Sequence, residues 1–240
     1  MITLIKMEIM RALRNRRYLI FSVAYPAILF SIMVSAYGKV ATLGGVPVKA
    51  YFMVSMATLG VVGASVTTSA MRISLERKSG WARQLRLTAL PSYGYVTAKI
   101  ASIAATTLPA IVVVFAVGYT QGVKLSASEW LLLGLTLWIG GFIFAALGVA
   151  LGYAAAPDSV QPIVLIVYMA MLMLGGTWFQ FGGSLQKYAK WTPVSLYNEL
   201  GRDAQSGAAL GGSAVAAVLA YAVVFVGLAA FLYQRDRRES

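Results

Sequence analysis

Residues 72–86 read RISLERKSGWARQLR, and Lys99 follows after a further uncharged stretch. The six charged residues within it, Arg72, Glu76, Arg77, Lys78, Arg83 and Arg86, separate two runs, 50–71 and 100–123, that carry no charge. Each run is long enough for a helix to cross a hydrocarbon layer, which takes about 20 residues. A chain built this way lies in a membrane and presents a charged segment to one side of it.

Composition points the same way. The 240 residues are 59% hydrophobic and only 12% charged, with a mean hydropathy of +0.75, whereas soluble domains carry about 25% charged residues. That length suits one integral membrane domain over residues 1–240, so any catalytic or energy-coupling module is expected on another chain. Cysteine and histidine are absent, which removes disulfides, thiolate nucleophiles, imidazole bases and the usual zinc ligands. The formal net charge of +12 is spread over the segments between apolar runs. Membrane topology explains it better than nucleic-acid binding, and no nucleic-acid partner is expected.

Uncharged runs occur at 18–38, 50–71, 100–123, 130–157, 159–186 and 204–234, and they predict six transmembrane helices in an all-α protein. Backbone groups in hydrocarbon must be paired within a helix or a closed barrel, and these continuous runs lack the alternation of barrel strands. Tyr18, Tyr37, Tyr51, Tyr119, Trp130 and Tyr233 stand near run ends, where interfacial aromatics are enriched. With six crossings the termini share a side. That side holds five basic residues before residue 18, six between 72 and 99 and three after 234, against six opposite: Lys39, Lys49, Lys124, Lys187, Lys190 and Arg202. The positive-inside rule then places both termini and the 72–99 loop in the cytoplasm.

Residues 1–17 put Ile2, Ile5, Ile9, Ala12 and Leu13 on one helical face, with Lys6, Glu8, Arg11, Arg14 and Arg17 off it. The pattern predicts an amphipathic helix lying in the interface. A basic leader that only sets topology is the plainer alternative, and both can hold. The first apolar run is longer than a signal-peptide core and lacks a convincing cleavage site, so it reads as a retained span.

The fifth run is interrupted late by Gly175-Gly176 and Gly182-Gly183, and 184–203 then mixes Lys187, Tyr188, Lys190, Trp191, Pro193, Tyr197, Glu199 and Arg202. Either the helix breaks and an external re-entrant or broken helix follows, or an ordinary external loop does. Met173, Trp178 and Phe179 in this region are candidate substrate-pathway residues, because methionine and aromatic side chains adapt to irregular apolar shapes; packing or lipid contact is the blander reading. No Asp, Glu, Lys or Arg lies within a predicted span. Ionisable groups at that depth mark proton relays and ion coupling, so a proton-driven carrier or a channel with a charged filter is disfavoured, as is an intramembrane hydrolase. Gly148-x-x-x-Gly152 has the small-residue spacing that lets helices approach closely; packing within one bundle is the first reading and a dimer seam the second.

Taken together, these elements resemble the permease subunit of ABC-2 type exporters. The resemblance covers the chain in layout and is concentrated in residues 75–91, LERKSGWARQLRLTALP. In that family an E-R-x-x-G stretch, a leucine pair and a T-P-like turn form a coupling helix. Glu76, Arg77 and Gly80 match the first half, and Leu85, Leu87 and Thr88 the second. The chain departs at Ala82-Arg83, where an acidic residue often follows the glycine, and at Thr88-Ala89-Leu90-Pro91, where the T-P pair is spread out. Trp191-Thr192-Pro193 is similar to the family's external helix region.

The resemblance implies that Glu76, Arg77, Lys78, Gly80, Trp81, Leu85 and Arg86 couple the chain to ATP-hydrolysing subunits, two copies per assembly, alongside a second permease copy or a sister permease. A short helix with Glu, Arg and apolar anchors is physically suited to docking in a groove; a solvated basic loop is the plainer alternative. The chain contains no G-x-x-x-x-G-K-[ST] loop, so ATP and magnesium are expected on the partner and no cofactor on this chain. The expected cargo is a hydrophobic or amphipathic drug or lipid, with polysaccharide a further option. A secondary transporter and a membrane anchor or assembly factor are the rival functions.

Overall fold

The computed structural model describes residues 10, 19–38, 40–43, 45–79, 92–178 and 184–239. The expected amphipathic helix over 1–17 lies, apart from Met10, outside the described residues. Among the described residues the secondary structure is helical apart from one small hairpin.

A π-helical turn, Leu19–Ala24, leads into α1, Tyr25–Tyr37. Pro26 stands at the start of α1 and has no N–H to bond the carbonyl of Ser22, which coincides with the widened turn before it. Strands β1, Thr42–Leu43, and β2, Val46–Pro47, pair antiparallel. Gly45 takes φ 83°, the left-handed backbone that tight hairpin turns need.

Helix α2, Val48–Ser79, follows directly and has 32 residues. At 1.5 Å per residue it is about 48 Å long, well beyond a hydrocarbon core of about 30 Å. The run expected to end at 71 therefore continues as helix for two more turns. Arg72, Glu76, Arg77 and Lys78 ride on an extension of the span itself rather than on a separate loop.

Then come α3, Ser92–Thr120, and α4, Ala127–Ala154. A reciprocal cap starts α4: the Glu129 N–H donates to Ser126 Oγ at 3.3 Å, and the Ser126 N–H donates to Glu129 Oε2 at 2.6 Å. This Ser-x-x-Glu pairing satisfies two end donors that the helix itself cannot. Helix α5 spans only Val160–Leu174, followed by α6, Ser184–Ala189, α7, Pro193–Gln205, and α8, Gly212–Glu239.

Among the described residues four helical stretches are long and apolar enough to cross a membrane: α2, Ala101–Thr120 of α3, α4, and Gly212–Asp236 of α8. Two shorter apolar stretches are Ser22–Tyr37 and α5. Two helices are shorter than the runs that contain them. Within the run 159–186, α5 ends at Leu174, at the Gly175-Gly176 interruption, because Gly176 turns at φ 63° and Gly175 lies so close to Val194 of α7 that a Cβ would stand 2.4 Å from its Cγ1. The run 204–234 becomes α8 only at Gly212, because Ala204 and Gln205 complete α7 and Gly207 turns at φ 68°.

The helices pack around α2, which touches α1, α3, α4, α5 and α7. Its most apolar window is 94% buried, whereas that of α8 is 6% buried, so α2 is the axis of the bundle and α8 lies at its edge on α4 and α7. Small residues make the central contact. Gly141, Gly148 and Gly152 form one stripe of α4 facing α2; a Cβ on Gly148 would lie 2.5 Å from the Val66 carbonyl oxygen, and one on Gly152 would lie 2.8 Å from that of Ala70. Backbone is thus set against backbone, the arrangement that small-xxx-small spacing permits. Gly63 similarly admits the Tyr168 ring of α5, whose O–H donates to the Leu59 carbonyl at 3.0 Å.

Candidate functional site

The charged extension of α2 folds back on its own bundle. Arg77 Nη1 donates to the carbonyls of Gly152 at 3.0 Å and Ala155 at 2.9 Å. These belong to the last turn and C-cap of α4, where carbonyls lack helical partners and the helix dipole is negative. The other guanidinium nitrogen, Nη2, meets Asp236 Oδ1 of α8 at 2.7 Å. The Arg77 Cζ stands 5.9 Å from the centre of the Tyr153 ring. One planar, five-donor group thereby ties α2 to the ends of α4 and α8, a task suited to arginine's fork. Nearby, Lys78 pairs with Asp158 at 3.0 Å, and the Ser74 hydroxyl donates to the Pro157 carbonyl at 3.4 Å. The Lys78 pair is exposed and contributes little, whereas the Arg77 and Asp236 side chains are each only 26% exposed.

Of the expected coupling residues, the structure therefore places Glu76, Arg77 and Lys78 on the end of α2, with Arg77 directed inward. Gly80, Trp81, Leu85 and Arg86 lie outside the described residues. Of the candidate pathway residues, Met173 is exposed on α5, Trp178 leans on the buried core, and Phe179 lies outside the described residues.

The turn after α5 is held from two sides. The Tyr51 O–H of α2 donates to the Gly176 carbonyl at 3.2 Å. Asn198 Nδ2 of α7 lies 3.3 Å from both the Gly175 carbonyl and the Thr177 hydroxyl. Helix α7 starts at Thr192, whose hydroxyl accepts the Ser195 N–H at 3.4 Å, and buries Val194, Leu196, Tyr197, Leu200 and Ala204. The Tyr197 O–H donates to the Leu137 carbonyl of α4, and its ring meets Phe144 edge-on at 5.3 Å. Arg202 lies with its Cζ 4.2 Å over the Tyr51 ring. Burial, the largest influence, lowers the Arg202 pKa from its ordinary value, while Tyr51 and Glu199 act to raise it.

The sequence pointed neither to Asp236 as a partner of Arg77 nor to the burial of Arg202, which it placed in an external segment. A signal for the first exists: Asp236 is the lone acid within the basic run Arg235–Arg238. The second is signalled by the helical spacing of Val194, Tyr197 and Gly201, a buried face on a segment of otherwise polar character.

No group of three or more acidic residues could hold a metal ion among the described residues. What the arrangement offers is mechanical, a long axial helix with charged end contacts to two others. The family model for the ABC-2 type transporter matches residues 1–206. The chain belongs to the ABC-2 type transporter family. This ABC-2 chain is also similar to a protein of Bacillus subtilis (strain 168) named "Putative transport permease YvfS", with 25% identity over 237 residues that cover 95% of each chain. It is thus a multi-pass membrane transport permease, a transport component rather than a catalytic enzyme, and ABC-2 membership implies partnership with an ABC ATPase.

Proposed function

We propose that the chain is the permease subunit of an ATP-driven exporter in a bacterial inner membrane. In this reading α1, α2, α3, α4, α5 and α8 make the six crossings, both termini are cytoplasmic, and α6 and α7 form the external broken element. Two permeases, identical or sister chains, line a path for a hydrophobic or amphipathic drug or lipid and are driven by two ATPase subunits. ATP and magnesium belong to those partners.

The observation that supports this reading most is the extension of α2. Its last two turns carry the Glu76-Arg77-Lys78 motif beyond the length a bilayer requires and are anchored to α4 and α8. A push received there by the 76–86 segment passes into the bundle's axis, since coupled elements of this kind move as packed rigid pieces. The uncharged spans fit a cargo recognised by shape and apolar contact rather than by fixed charge.

Two experiments test it. A tagged full-length chain should bring down an ATPase whose turnover rises on adding the permease. Glu76→Ala should reduce that stimulated turnover by about tenfold or more, as loss of an interface hot spot does, with membrane insertion unchanged; capture of a partner without nucleotide activity would favour the assembly-factor reading instead. For topology, the chain has no native cysteine, so Ser79→Cys gives a single label site. A membrane-impermeant maleimide should leave it unmodified in intact cells and label it after permeabilisation; labelling from outside would reverse the orientation.

A further inference from the structure

At the end of the bundle opposite Arg77, the start of α2, the turn between α3 and α4, the β-hairpin and the end of α7 line a pocket of about 400 Å³, within the usual range for small-ligand sites. Its walls are mainly apolar, with Val46, Val48 and Val123 among them, and its polar groups include Lys49, Lys124 and Gln205. Gln205 is the informative member. It is 3% exposed, and neither its Nε2 nor its Oε1 has a hydrogen-bond partner. A buried amide left unpaired at both ends is rare, because the group gives up its hydration without replacement.

The charged residues that line the pocket, Lys49 and Lys124, are both cations. Lys49 Nζ spends one donor on the Gln121 carbonyl at 2.9 Å, which leaves two of an ammonium's three, and Lys124 is exposed at the mouth. One turn back along α7, Arg202 is also largely buried, and its Nε and Nη2 make no hydrogen bond. No acid is among the described residues that line the pocket: Glu129 caps α4, Asp203 accepts the Gly211 N–H at 3.0 Å, and Glu199 acts on Arg202.

Cations at the mouth, an amide offering both a donor and an acceptor, and apolar walls together describe the complement of an anionic amphiphile. We propose that this pocket binds the phosphodiester headgroup of an anionic lipid, with phosphate oxygens on Lys49 and Lys124, a headgroup hydroxyl on Gln205, and the adjoining methylenes against the valines. A free phosphate ester would satisfy the cations but leave the apolar walls without a partner. The site is distinct from the coupling end of the bundle, and the proposal does not depend on the direction or cargo of transport.

The test is native mass spectrometry of the full-length chain from micelles holding equimolar dioleoyl phosphatidylglycerol and dioleoyl phosphatidylcholine, with glycerol 3-phosphate in a separate arm. Bound phosphatidylglycerol should exceed phosphatidylcholine by about tenfold, the scale of a charge-assisted hydrogen bond. The preference should fall by about fivefold in Gln205→Leu and by about threefold in Lys124→Gln. Because Lys124 is exposed, its variant reports on the site even where Gln205→Leu disturbs α7. Equal retention of the two lipids, or an unchanged preference in both variants, would overturn the proposal. Glycerol 3-phosphate retained as well as phosphatidylglycerol would overturn the lipid assignment in favour of a free phosphate ester.

Discussion

Arg77→Ala is expected to lower the stability of the folded bundle by about 3 kcal/mol, the scale of losing hydrogen bonds made by a charged group in a partly buried setting. The substitution removes both bonds to the end of α4 and the contact with Asp236 of α8. Arg77→Lys should recover less than half of the loss, because an ammonium cannot reach two carbonyls and a carboxylate with the geometry of a planar fork. Unfolding in mixed micelles with rising sodium dodecyl sulfate is the measurement. A double-mutant cycle with Asp236→Asn should return a coupling energy of about 1 kcal/mol or more. A loss below about 0.5 kcal/mol for Arg77→Ala would mean that the guanidinium is free to leave the bundle for a partner. The outcome bears on transport too: a variant that fails to transport because α2 has come loose is a different defect from one that fails to bind an ATPase.

The second large effect is expected at the contact between α2 and α4. Gly148→Ala places a methyl group 2.5 Å from the Val66 carbonyl oxygen, 2.9 Å from Ser69 Cβ and 3.0 Å from Val66 Cα. None of these is the tip of a flexible side chain, so relief requires the helices to part, and overpacking of this kind costs about 1–3 kcal/mol. Gly134→Ala on the same helix is the control. Its added Cβ would meet only Phe115 Cε2 at 3.6 Å, an ordinary contact, and the gain in helix propensity should stabilise by up to about 1 kcal/mol. Opposite signs in the same unfolding assay would establish the glycine stripe as a packing seam within one chain. Equal effects would mean that glycine acts on α4 through propensity alone.

The helical membrane character was legible because charge is confined to a few segments, and a solvent without water leaves little choice of backbone structure. What the runs could not mark was where a helix stops for tertiary reasons. Nothing in the apolar run beyond Leu174 says that Gly175 will be pressed against Val194, a contact that exists only once α7 has docked. Helix α7 itself hides in a segment of mixed polarity, since its buried face is made useful by Gly140, Leu137 and Val54 on other helices. At the charged stretch the residue types were visible but their directions were not. Arg77 and Lys78 are neighbours in sequence, yet one is drawn inward by Asp236 and the open end of α4 while the other meets an exposed Asp158. A motif read from a string groups such residues, and only the far-off acid separates them.

The unbroken length of α2 has a geometrical consequence. A rigid rod about 48 Å long, tilted by about 5° around one end, carries its far end through about 4 Å. The glycines that press α4 against it lie from Val61 to Ile73, toward the Arg77 end, so the fulcrum is off centre and the arm reaching the β-hairpin is the longer one. A small linear displacement of the charged tip is therefore delivered as a larger one at the opposite face of the bundle.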